Sequence, residues 1–412
     1  MRVLIITSSV VDYISVGKIA TSLYKYIISR GNEAKLIYFG LNGEQTGYEC
    51  INKNEFLTKV RYKLVLMSDF KMNHHFMGVG KWKRILKEYD PDIVQLIQPM
   101  QEFINIKALF KAIGEMEIPC VYTMIDESAY LGNCGNAYAC KRFMEGDGCE
   151  GCAGENHEDN LVDYGGYWNQ KGARIKARVK RLCYENAGRL CFVAPQWVIE
   201  QARKSVMLRD KRLYAVDEYV DNEKVYYPRE RDDALLQRYG VERDKILFLN
   251  IARYSNERKG IRYYIELARR FENDERYQFV HIGYDGKGEG LPANYIAIPF
   301  VEDQNITSQF YTAADLFIIT SMADTMPNVC LEALSCGTPV CGFDISGIPY
   351  VADEPIGRFV EAANVGELEK IVRTTQKKTD ELSRQCREYA LSRYSPKVYG
   401  EKMLSIYEEM LE

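Results

Sequence analysis

Twice along this chain, short apolar runs alternate with longer stretches whose apolar residues recur at helical spacing. That alternation restricts the fold more than any other feature. "RVLIIT" (Arg2 to Thr7) leads through a polar loop holding Gly17 into "KIATSLYKYIISRG", where Ile19, Leu23, Ile27 and Ile28 recur at helical spacing and Gly31 stops the helix. "AKLIYFG", "DIVQLI", "PCVYTMID" and "LCFVAP" continue the series. In the second half "KILFLNIARY", "YQFVHIGYDG", "ADLFIITS" and "TPVCGFD" read as buried strands and "GIRYYIELARRF" as a helix. Such alternation builds a parallel sheet with helices on both faces, and ligands then bind outside the carboxyl ends of the strands.

At 412 residues the chain outgrows a single core, so two domains are expected. The charged, Pro-containing stretch "VDEYVDNEKVYYPRERDDALLQRYG" breaks the periodicity and puts the boundary near Val216 to Asp221. The expectation is α/β throughout: a Rossmann-like domain over 1–217, a second facing it over 218–394, and a terminal helix over 395–412. That helix carries Val398, Met403, Leu404, Tyr407 and Leu411 on one side and should dock. With 27% charged residues and a net charge of −4, no global field draws in nucleic acid. The start lacks the apolar core of a secretion signal and no membrane-length apolar run follows, so a cytoplasmic protein is expected. In that setting the 12 Cys should be reduced thiols or metal ligands.

Chemistry concentrates in "SMADTMPNVCLEALSCGTPVCGFDISGIP", Ser321 to Pro349. Pro327 suits a first helical turn and Gly337 a stop, predicting a helix from about Pro327 to Cys336. Its N-terminus points at the loop Ala323 to Met326, where free N–H groups and the dipole favour phosphate. Glu332 could accept from a ribose, and Asp324 could hold hydroxyls of a sugar beyond the phosphates. A capped helix with two solvated acids satisfies the same spacing.

Asp324, seven intervening residues and Glu332, followed by "ALSCGTPVCGFDISGIPYV", resemble the signature of retaining glycosyltransferases of the GT-B fold, the family-4 group. Asp324 stands where the usual motif has Glu, as in a capsule and exopolysaccharide subgroup. The resemblance spans nearly the whole chain, including the loop at Gly17, "APQWVIEQARKS", "YTAADLFIITS" and the terminal helix, which in this fold crosses back to the first domain. It implies a sugar transferred from a nucleotide-diphosphate donor, UDP- or GDP-linked, to a glycan or lipid-linked acceptor with retention, by front-face attack and without a catalytic metal. It also implies donor-binding roles for Gly17, Thr325, Met326, Asn328 and Glu332. In "NIARYSNERKG", Arg253 and Lys259 match the basic pair aimed at the donor diphosphate, where preorganised cations stabilise the leaving group as its charge grows. Backbone groups near Phe300 and Val301 would contact the nucleobase. Subgroup members carry a His-Asp pair after a first-domain strand. Here Ile125 occupies the His position, and Asp126 remains to orient an acceptor hydroxyl or act as a base.

Two further features stand apart. Cys134, Cys140, Cys149 and Cys152 form a C-x5-C-x8-C-x2-C array in an insert over 134–152. Such an array can close a tetrahedral structural Zn2+ site with no open position for catalysis, with His157 as a substitute ligand. Free or disulfide-paired thiols are the alternative. "KGARIKARVKRLCYENAGRL" (Lys171 to Leu190) is a basic amphipathic helix suited either to an anionic membrane surface, such as the inner face where lipid-linked acceptors reside, or to solvent. A non-catalytic sugar-nucleotide-binding or scaffold protein of the same fold is the second functional reading, and an epimerase or phosphorylase the third.

Overall fold

The apolar runs of the first half become strands β1 (Arg2–Thr7), β2 (Glu33–Tyr38), β3 (Glu49–Cys50), β4 (Ile93–Ile97), β5 (Cys120–Thr123), β6 (Leu190–Ala194) and β7 (Arg212–Ala215). They pair in parallel in the order β3-β2-β1-β4-β5-β6-β7. The structure is a computed structural model that describes residues 1–11, 15–39, 47–51, 60, 77–99, 104–132, 134–138, 140–152, 170–253, 257–286 and 290–412, so His157 lies outside the described residues. Strands β4, β5 and β6 are buried throughout, which is why they read as unbroken apolar runs rather than alternating ones. Helices Val79–Tyr89 and Ile106–Glu115 contribute Trp82, Leu86, Phe110 and Ile113 to the core. Strand order reverses direction between β1 and β4, so the carboxyl ends of those strands open a crevice.

The second half gives β8 (Ile246–Ile251), β9 (Tyr277–Ile282), β10 (Tyr295–Ile298), β11 (Leu316–Ile319), β12 (Val340–Asp344) and β13 (Gly357–Glu361), again all parallel, in the order β10-β9-β8-β11-β12-β13. Here the reversal lies between β8 and β11. The chain divides into two compact units, Met1–Val216 with Gly400–Glu412, and Asp217–Tyr399. The fold is thus α/β with two parallel sheets.

The last helix, Pro396–Leu411, starts in the second unit, and its residues from Gly400 onward belong to the first. The Tyr407 hydroxyl donates to Gln95 Oε1 in the middle of β4 at 2.8 Å, and the Arg189 guanidinium donates to the Met410 carbonyl. A Cβ on Gly400 would lie 2.2 Å from the Tyr26 ring, so the helix packs this closely only with glycine there. The docked face consists of Met403, Ile406, Tyr407 and Met410. Leu411, expected on it, is exposed at the helix's last residue, beyond the docked Met410. Among the described residues no helix is long and apolar enough to cross a membrane.

Candidate functional site

In the second unit, the loops leaving β8 and β11 are laced together at the strand-order reversal. The loop after β8 ends in a short 3-10 turn, Glu257–Lys259, followed by Gly260 at φ 61°. A Cβ on Gly260 would stand 2.0 Å from the Thr320 carbonyl oxygen, so only glycine lets the two loops touch. Met322 N–H donates to the Arg258 carbonyl at 2.8 Å, and Arg258 Nη1 to the Ala323 carbonyl at 2.7 Å. Across this seam Lys259 Nζ donates to Asp324 Oδ2 at 2.7 Å, with Arg258 Nη1 3.8 Å from the same oxygen. Asp324 is further fixed by its backbone, whose carbonyl accepts from Gly347 N–H at 2.8 Å. A Cβ on Gly347 would fall 1.7 Å from the Thr325 carbonyl oxygen. Lys259 and Asp324, assigned separate ligands by sequence, are each other's partner here, and Arg258, which sequence reasoning passed over, completes the cluster.

The expected helix appears as Asn328–Ser335, capped by Pro327 and Cys336, with Gly337 at φ 79° beyond. Thr325 and Met326 are buried, and Met326 Sδ accepts the Glu218 N–H at 3.2 Å. Asn328 Nδ2 donates to Glu218 Oε2 at 3.1 Å. Glu332 is half-buried and accepts from the Tyr311 hydroxyl at 2.9 Å. Arg253, exposed at the end of β8, lies over the Phe300 ring with its guanidinium carbon 4.9 Å from the centroid. Phe300 is 53% exposed, while Val301 beside it is half-buried. The geometry joins Arg253 to Phe300 and Lys259 to Asp324. Behind Arg253, the Ala252 carbonyl sits 2.7 Å from His281 Nε2, and the Tyr295 hydroxyl 2.8 Å from Nδ1. A carbonyl only accepts, so the proton is on Nε2. Burial lowers the His281 pKa to about 4, keeping the ring neutral.

In the first unit, Asp126 follows β5 and caps the 3-10 turn Glu127–Ala129, its Oδ1 accepting Ser128 N–H at 2.8 Å. Gln98, just past β4 and buried, holds this corner. Its Nε2 donates to Asp126 Oδ1 at 2.6 Å and to Ser128 Oγ at 2.8 Å, while its Oε1 accepts Ile125 N–H at 3.0 Å. Gln98 adopts φ 37°, rare for a residue with a side chain, and such outliers concentrate at functional sites. Periodicity could not reveal Gln98. Its only sequence mark is its place directly after an apolar strand. Gly17 lies in helix Ser15–Ser29, where a Cβ would meet Val11 O at 2.4 Å and Val11 N at 2.5 Å. Close packing against the β1 loop is thus enough to require glycine there, whatever binds nearby.

Beyond Asp126, Glu127 is buried, taking Tyr130 O–H and Ala137 N–H at 2.8 Å each, and desolvation raises its pKa to about 7. The neighbouring thiols Cys134, Cys140, Cys149 and Cys152 are half-buried and unpaired by disulfides. Burial pushes the Cys134 thiol up and that of Cys149 to about 11. Among the described residues no three of Cys, His, Asp or Glu stand in metal-holding geometry, so the zinc expectation gains no support. The basic helix, Gln170–Asn186, also departs from expectation. Lys180 is buried and donates to the carbonyls of Ser128, of Leu131 at 2.8 Å and of Gly132 at 3.1 Å. Arg174 donates to the Cys152 carbonyl at 2.6 Å and Arg181 pairs with Glu150 at 2.5 Å. Lys176 is buried as well. Lys180 thus pins the loop ahead of the cysteine-rich insert, and Arg174 and Arg181 hold the end of the insert itself.

Residues 232–393 match the profile of the family described as Glycosyl transferases group 1. Comparison with curated proteins gives no match. Among solved structures, the chain is similar to a glycosyltransferase from Rickettsia africae ESF-5, at 14% identity and TM-score 0.65, covering 100% of this chain and 98% of that one. It is similar to a sucrose-phosphate synthase from Thermosynechococcus elongatus, at 13% identity and TM-score 0.63, over 100% and 99% of the two chains. It also resembles Anabaena HepE in complex with UDP, at 15% identity and TM-score 0.63, over 99% and 100%. What is shared at such identities is the fold, which is GT-B: α/β, with two parallel sheets.

Proposed function

We propose that this chain is a GT-B glycosyltransferase of the retaining, family-4 kind, moving a sugar from a nucleotide-diphosphate donor to a glycan or lipid-linked acceptor. One observation carries the reading: within the segment matching the group 1 profile, Lys259 holds Asp324 at 2.7 Å where the β8 and β11 loops meet, and Glu332 lies on the helix that follows. The UDP bound by Anabaena HepE, of the same fold, supports a nucleotide donor.

In this reading Glu332 accepts from the ribose, and Lys259 and Arg253 counter the charge that grows on the departing diphosphate. Asp324 holds the transferred sugar, and the departing phosphate takes the acceptor's proton on the same face, giving retention. Asp126, held by Gln98, orients the acceptor hydroxyl. Backbone contacts at Phe300 and Val301 meet the base. A second reading, a sugar-nucleotide-binding protein without activity, draws on Ile125 in the place of a donor-contacting His and on Asp126 Oδ1 being engaged as a turn cap.

Thermal shifts against UDP, GDP and ADP, with and without attached sugars, test the donor claim, because a ligand of the native state raises its melting temperature with concentration. Hydrolysis and transfer are then assayed with the best donor. No shift with any nucleotide overturns the reading. Binding with neither hydrolysis nor transfer across a broad acceptor panel hands the assignment to the second reading.

A further inference from the structure

Glu332 is gripped from two separate elements. Tyr311, on helix Gln304–Ala313, donates to its Oε2 at 2.9 Å, and the Tyr226 hydroxyl, which also meets Thr307, faces the same carboxyl. Both rings are buried, at 0% and 4% exposure, and meet edge to face with centroids 6.1 Å apart. Packing alone does not call for these hydroxyls: phenylalanine fills the same space and brings no polar atom needing a partner in the core. A free glutamate also spreads over many rotamers, and ordering it carries an entropic cost. Two hydroxyl donors fixed by the core meet that cost at folding rather than at binding. A carboxylate offers about four acceptor sites, more than two hydroxyls consume.

We propose that Tyr226 and Tyr311 are positioning residues that set the Glu332 carboxylate to accept from the ribose hydroxyls of the donor, and so give the site its preference for ribonucleotides over deoxyribonucleotides. This rests on the donor-site reading above. The interaction is a hydrogen bond to a charged acceptor, the class whose loss leaves a large effect when one partner is removed.

The test compares binding of UDP with 2′-deoxy- and 3′-deoxy-UDP by calorimetry, or the GDP set if GDP binds more tightly, in the wild type and in Glu332→Gln, Tyr226→Phe, Tyr311→Phe and the double Phe variant. The wild type should favour the ribonucleotide over at least one deoxy form by about tenfold or more. Glu332→Gln should collapse that ratio. Each Tyr→Phe should reduce it severalfold, and the double variant should approach Glu332→Gln, while affinity for the less favoured deoxy form holds. Retained deoxy-UDP binding also reports that each variant is folded. If Glu332→Gln collapses the ratio and the Phe variants leave it intact, the tyrosine inference is wrong and the donor-site reading stands. If Glu332→Gln leaves the ratio intact, or no nucleotide binds, the ribose assignment itself falls and the inference with it.

Discussion

At Asp324 the structure poses a competition. Its carboxylate holds Lys259 at 2.7 Å, yet the proposed role of Lys259 is on the donor diphosphate. Both side chains are mostly buried, at 13% and 24% exposure, so a diphosphate must win the ammonium from a carboxylate that is already desolvated. Removing the acid should free the cation. Asp324→Asn is therefore expected to raise the affinity for UDP without a sugar by up to about fivefold, the upper value for an ion pair of about 1 kcal/mol with partial solvent screening. Lys259→Ala should weaken it, and Asp324→Asn should lose transfer because the sugar hydroxyls then face a neutral amide instead of a charged acceptor. Calorimetry on both variants with UDP, beside turnover, checks the pair. Equal loss of UDP affinity in both would mean that Lys259 and Asp324 act as one unit and do not compete. The Arg253 contact differs in kind: its guanidinium rests on an exposed ring, a cation–π contact of about 0.5–1 kcal/mol that a phosphate can readily break.

Among the elements, the strands that sequence reasoning resolved are those buried on both faces, such as β4, β8 and β11, whose apolar runs have no competing reading. The ones it passed over lie at sheet edges. β3 is two residues long, one exposed and one half-buried, β7 is a four-residue strand with no buried residue, and β10 and β13 close the ends of the second sheet with partly exposed strands. The helix Asn328–Ser335 was legible from Pro327 and Gly337, since capping chemistry is local. Gln98, Arg258 and the tyrosines on Glu332 were not, because each acts through a partner distant in sequence. The inward partners of the basic helix were hidden for the same reason: its charge pattern does not show that the carbonyls of residues 128, 131 and 132 face Lys180. That helix makes its own prediction. Lys180→Met leaves three carbonyls, those of Leu131 and Gly132 buried, without their donor and should cost about 2–4 kcal/mol, concentrated in the loop ahead of the cysteine-rich insert. Hydrogen exchange should accelerate at Glu127 to Tyr138 and at Cys149 to Cys152 while the second unit is unchanged. Uniform acceleration across both units would show the loss to be global.

For the molecule as a whole, two buried groups in separate units should make stability respond to pH with opposite signs. Glu127, in the first unit, titrates near 7 when folded against an ordinary 4.5, so the native state binds more protons between those values. Its contribution is fully present below 4.5 and is lost as pH rises toward 7. His281, in the second unit, titrates near 4 when folded against an ordinary 6.5, so between them the unfolded state binds more protons. Its contribution is present above 6.5 and is lost as pH falls toward 4. At about 1.4 kcal/mol per unit, each swing is on the order of 3 kcal/mol. The two nearly cancel in any measurement of the whole chain, which should therefore look almost indifferent to pH between 5 and 6.5 as far as these groups are concerned. Resolved by unit, they should not cancel. Acidification from pH 6.5 to 5 should slow hydrogen exchange in β4 and β5, after correction for the intrinsic pH dependence, and speed it in β8 and β9. Glu127→Gln removes the first response and should leave the second untouched, and His281→Gln should do the reverse. If both units instead shift in the same direction, and Glu127→Gln does not alter the first unit, the Glu127 carboxyl is ionised in the native state at neutral pH and its bonds to Tyr130 and Ala137 compensate for its burial.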